Sequence, residues 1–122
     1  MKMDTSQISK LEQELLRVGN EYSKAAEDLA AAKSNYDNLN DLKKDVLSQQ
    51  MTEQDMRTSG KNSEARLERL ARATEEWKIH MEGVFIARTT FNQLSARLNG
   101  LEVRHKSIQS VLSVEKEKMK MI

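Results

Sequence analysis

Residues 8–39 read ISKLEQELLRVGNEYSKAAEDLAAAKSNYDNL, and their apolar positions decide the fold. Ile8, Leu11, Leu15, Val18, Tyr22, Ala25, Leu29, Ala32, Tyr36 and Leu39 follow one another in alternating steps of three and four. A seam kept up over more than four heptads predicts a left-handed coiled coil rather than a general amphipathic helix. Lys43 breaks the seam and Val46 resumes it. Asp4 is placed to cap the start, with Gln7 three residues on in a capping-box arrangement. The first helix is therefore expected over residues 5–50. Large Tyr22 and Tyr36 share its seam with small Ala25 and Ala32, which suits interdigitation with an antiparallel second helix. Gly19 lies inside this helix and costs about 1 kcal/mol relative to Ala.

Residues 52–62 lack periodicity and contain Ser59-Gly60, a turn signal, so they are expected to form the loop. Asn62 or Ser63 can cap the next helix, and Glu64 suits its first turn beside the positive end of the dipole. The second helix is expected over residues 63–119. Its seam reads Leu67, Leu70, Thr74, Trp77, Met81, Val84, Ala87, Phe91, Leu94, Leu98, Leu101, His105, Ile108 and Leu112. The two consecutive steps of three from Met81 to Ala87 are a stammer, which locally overwinds a coiled coil. Gly83 sits at this shift. A continuous helix with a local distortion near residue 83 is preferred, the alternative being two helices that meet there.

Composition agrees with an all-α antiparallel hairpin of long helices with coiled-coil packing, dimerising into a helical bundle. Among 122 residues there are no Pro, no Cys, four Gly and only five aromatics. A β-sandwich or barrel needs turn signals about every 8–12 residues. The missing Cys excludes disulfides, thiolate metal sites and a Cys nucleophile. The length suits a single domain over residues 1–122. Net charge is +1, but residues 1–50 carry seven basic and nine acidic groups, whereas residues 101–122 carry five and three. That gradient suits antiparallel packing. The N-terminus lacks the apolar stretch of a signal peptide, and no apolar run approaches the roughly 20 residues that span a membrane. A cytoplasmic protein with no membrane partner is expected.

No nucleophile–base pair, phosphate loop or calcium loop is recognisable. His80 and His105 stand 25 positions apart, about 37 Å along a straight helix, too far to share a metal. Glu76 and His80 are four apart on one face but supply only two ligands, so a surface ion pair is expected. His105 falls on the seam and reads as a polar register-setting residue. The expectation is a non-enzyme with no catalytic residues, no metal and no cofactor.

The richest anomaly spans residues 77–91. Trp77, Met81, Val84, Phe85, Ile86 and Phe91 crowd there, and consecutive Val84, Phe85 and Ile86 must point in three directions. A two-helix hairpin covers one stripe, so these six residues are the candidate protein-interaction site, with a second copy as the first candidate to cover it. The tail residues Arg104, Lys106, Lys116, Lys118 and Lys120 are a candidate nucleic-acid contact. Interleaved Glu115 and Glu117 weaken that reading, and it is not favoured over cations that complement a helix C-terminus.

Ala71-Arg72-Ala73-Thr74-Glu75-Glu76-Trp77-Lys78-Ile79-His80-Met81-Glu82-Gly83, then Ala87-Arg88, Leu94–Arg97, Leu101-Glu102 and Arg104, resemble a group of small helical proteins encoded by tailed bacteriophages. The likeness begins at residue 65 and covers about half of the chain. The tail departs from it, carrying Lys and Met where the group has an Arg-rich ending. The resemblance implies a phage gene product in the bacterial host cytoplasm and assigns no activity. Together these readings lead to a coiled-coil module that docks helix faces on itself and on a host or phage protein. The alternatives are an accessory protein of phage DNA replication or recombination, an inhibitor of a host defence system, and a virion assembly component.

Overall fold

A computed structural model describes residues 5–121; the Asp4 cap lies outside the described residues. The chain is all-α: α1 (Thr5–Asp41), α2 (Lys43–Arg57), α3 (Glu64–Arg72) and α4 (Glu75–Lys120). No strand occurs among the described residues. The contacts divide into two compact units. One holds α1 as far as Ala30 with α4 from Gln93 on, and the other is Ala31–Asn92.

In the first unit α1 and α4 run antiparallel, as shown by Glu12 pairing with Lys116 and Gly19 facing His105. Val18, Ala25 and Leu101 form the buried core, with Tyr22, Leu98 and Ile108 packed on it. All six are seam positions. The charge gradient also finds its use here, because acidic Glu12 and Glu14 of α1 pair with Lys116 and Arg104 of α4. A hydrogen bond from Arg17, then the charge of Arg17 and the hydrogen bond and charge of Arg104, hold the Glu14 carboxyl below the ordinary glutamate range. A depressed folded-state pKa adds stability above the unfolded value of about 4.3 and loses it as pH falls through the folded value. Glu14→Gln should therefore lower the urea midpoint at neutral pH. The gap to the parent should then close below about pH 4, and a gap independent of pH would contradict the assignment.

In the second unit the end of α1 and the start of α4 are again antiparallel. Tyr36 stacks on Phe91 with centroids 6.2 Å apart, and His80 Nε2 lies 2.9 Å from the Leu39 carbonyl oxygen. α2 packs against α3. Three boundaries differ from the sequence reading. The helix expected over 5–50 is interrupted for one residue at Leu42, beside the Lys43 that breaks the seam. The backbone bonds Leu42 N–H to Asn38 and Val46 N–H to Leu42 persist, so the chain turns there without unwinding. The loop expected at 52–62 is helical up to Arg57, its packing against α3 standing in for the missing periodicity. α2 ends in the turn that Ser59-Gly60 predicts. Both residues have positive φ (70° and 75°), and Gly60 N–H donates to the Asp55 carbonyl at 3.0 Å, a Schellman-type closure.

The third difference concerns the helix expected over 63–119. Ser63 caps α3, accepting a hydrogen bond from Arg66 N–H at 3.2 Å. That helix stops at Arg72. Thr74 Oγ1 donates to the Ala71 carbonyl at 2.7 Å and accepts from Trp77 N–H at 3.2 Å, so it closes one helix and caps the next. Glu75 and Glu76 then occupy the favoured acidic first turn of α4. α4 runs unbroken through Gly83 and Gly100, the former being the site where a distortion was expected. Met81, Val84 and Ala87 all remain at least half-buried across the stammer.

Candidate functional site

Of the six residues singled out between 77 and 91, four turn inward. Val84 is buried, Phe91 stacks on Tyr36, and Trp77 and Met81 are half-buried. Phe85 and Ile86 turn outward, 59% and 56% exposed, and Ile79, one heptad before Ile86, is 60% exposed. Ile79, Gly83 and Ile86 share one stripe of α4, and a Cβ added at Gly83 would meet nothing within 4 Å. The Arg88 guanidinium lies over Phe85, 5.8 Å from its ring centroid. Sequence periodicity predicted that three consecutive apolar residues could not all be buried. Ile79 belongs to the same apolar cluster in the sequence, and its place beside Ile86 follows from their spacing of seven.

Trp77 lines a cleft of about 360 Å³ with Lys43, Lys44, Leu47, Arg72 and Met81. Arg72 lies over its indole, 5.7 Å from the ring centroid. The tail cations are engaged otherwise. Lys106 pairs with Glu102 at 3.0 Å, Lys116 with Glu12 at 3.2 Å, Lys118 with Glu115 at 3.4 Å and Lys120 with Glu117 at 3.9 Å; Arg104 pairs with Glu14. Each candidate nucleic-acid residue thus sits beside a carboxylate that would compete with phosphate.

On the other side of α2, a cleft of about 450 Å³ opens between α2 and α4, lined by Val46, Gln50, Glu53, Glu76, Ile79 and His80 among others. The expected Glu76–His80 ion pair does not form; His80 is half-buried and engages the Leu39 carbonyl instead. Among the described residues no group of three His, Cys, Asp or Glu is placed to hold a metal ion. Gln50 is 4% exposed, and its Oε1 has no hydrogen-bond partner among the described residues. Nothing in the sequence marks this residue, because glutamine is an ordinary surface residue and only the packing of α2 buries it. An unmet buried acceptor costs about 1–3 kcal/mol. Gln50→Met keeps the side-chain length and removes the amide, so it should raise stability by about 1 kcal/mol in urea unfolding. A drop of similar size would mean that the amide is satisfied in solution.

In the first unit His105 occupies its seam position opposite Gly19, where an added Cβ would meet the imidazole at 3.8 Å, an ordinary contact. No helix among the described residues is long and apolar enough to cross a membrane. No family model, curated protein or solved structure matches the chain.

Proposed function

We propose that the protein is a non-enzymatic helical interaction module, phage-encoded, that docks the outer face of α4 on a second copy of itself and on a host or phage protein. The observation that carries this reading is the exposure of Phe85 and Ile86, about three turns into α4, on a helix whose opposite face is already packed. Large apolar side chains grouped on a surface mark interaction sites, and aromatic anchors dominate interface energies. The bacteriophage resemblance of residues 65 onward supports the choice of partners. Sedimentation of Phe85→Glu/Ile86→Glu beside the parent tests the reading. The parent should dimerise at micromolar concentration, and the variant should stay monomeric with unchanged helix content. A monomeric parent that also captures the same host proteins as the variant would overturn it.

A second reading is contact with single-stranded nucleic acid, and one observation favours it away from the tail. Trp77 stands among Lys43, Lys44 and Arg72, and none of these three forms an ion pair among the described residues. An aromatic face beside cations suits a stacked base and its phosphate. Trp77 is the only tryptophan, so its fluorescence reports on this cleft directly. Quenching by an oligothymidylate that weakens steeply with salt would support contact there, and unchanged emission at low salt would exclude it.

A further inference from the structure

The cleft between α2 and α4 is lined by two carboxylates and by no lysine or arginine. Glu53 and Glu76 bring the carboxylates. Gln50 brings a buried carbonyl oxygen without a partner among the described residues. His80 spends its Nε2 on the Leu39 carbonyl. The remaining walls include apolar Val46 and Ile79. Apart from the amides of Gln49 and Gln50, which carry N–H donors as well as acceptors, the polar lining is rich in carboxylates and holds no lysine or arginine, and its two kinds of wall suit a ligand with an aliphatic stem and a donor-rich cationic head.

We propose that this cleft receives an arginine side chain of a partner polypeptide. A guanidinium carries five N–H donors in a plane and can meet several acceptors at once, whereas an ammonium has three on a point charge. Charge complementarity selects a cation. Glu53, Glu76 and His80 all line the cleft, but no three such groups among the described residues are placed to hold a metal ion together, which favours an organic cation. The polypeptide source follows from Ile79, which lines the cleft and also belongs to the exposed stripe with Ile86. A partner seated on the stripe thus has the cleft at its edge. The inference rests on the reading of α4 as a protein-docking face, and it names the chemistry of what docks there.

The test uses the full chain and the acetylated, amidated peptide Leu-Arg-Leu, followed by NMR at the Gln50 side-chain amide and the Ile79 methyls. The controls are the same peptide with citrulline, which removes the charge, and free arginine. Saturable shifts are expected with the arginine peptide, with at least tenfold weaker binding of both controls. Glu53→Gln/Glu76→Gln should weaken the arginine peptide at least tenfold while leaving helix content unchanged. Equal binding of the citrulline peptide, equal binding of free arginine, an indifferent double variant or no binding at all would each overturn the proposal. Shifts of the same signals on concentrating the protein alone would assign the cleft to a second copy and overturn it as well. Phe85 and Ile86 take no part in this test, so failure of the cleft is distinguishable from failure of the docking face.

Discussion

Leu101→Ala should lower the free energy of unfolding by about 3 kcal/mol, read as a fall in the urea midpoint at unchanged m-value. Leu101 is 9% exposed and packs with Val18 and Ala25 in the core of the first unit. Truncation removes the transfer energy of its outer carbons and leaves a gap that its neighbours fill only in part. A two-helix core collapses more readily than the centre of a large domain, which keeps the expected loss away from the upper end of the range. Phe85→Ala is the matching control. The larger side chain is removed, yet at 59% exposure the change should stay within about 0.5 kcal/mol in dilute protein. If the two variants cost the same, Phe85 is covered in solution, and the cost should then depend on protein concentration.

Replacing Gly19, Gly83 and Gly100 together by Ala should raise stability by about 2–3 kcal/mol. All three lie within helices, where glycine costs up to about 1 kcal/mol each. At Gly83 and Gly100 an added Cβ meets nothing within 4 Å. At Gly19 it meets the His105 ring at 3.8 Å, an ordinary contact that adds packing rather than strain. The sites are well separated along their helices, so the gains should add. Thermal and urea unfolding of the single variants and the triple variant measure this. Gly83 carries a second message. If Gly100→Ala gains fully and Gly83→Ala does so only in dilute solution, a neighbouring helix uses the bare backbone between Ile79 and Ile86.

Much of the fold was legible because a coiled-coil seam repeats. Every seam position from Ile8 to Leu39 is buried or half-buried, and the same holds from Leu67 to Leu112. The interruption at Thr74 was hidden for the same reason. Threonine falls on the three–four rhythm there, so periodicity reads straight through a residue whose hydroxyl ends one helix and starts another. The visible hint was the sequence Thr74-Glu75-Glu76, a capping residue followed by acidic first-turn residues. The stretch Thr52–Arg57 misled in the opposite sense, because it is helical without an apolar rhythm, and only its packing on α3 shows this. Within the candidate site, the outward turn of Phe85 and Ile86 could be reasoned from three adjacent apolar residues. Burial of Gln50 and the cleft it shares with Glu53 and Glu76 could not, since they depend on which face of α2 meets α4.

The short turn between α2 and α3 also sets a direction in time. Residues 58–63 join helices that need to close only a small loop, whereas Glu14 and Arg104 lie 90 positions apart in the chain. Closing a longer loop costs more conformational entropy, unless contacts nearer the turn have already shortened it. The helices should therefore zip from the Ser59-Gly60 turn outward, each new pair of seam residues meeting a partner already brought near. Substitutions at the turn, such as Gly60→Ala, should slow folding, while Leu101→Ala should chiefly speed unfolding. Backbone amides in Ala31–Asn92 should gain protection from exchange before those flanking Val18 and Leu101, and the reverse order would show that the ends associate first.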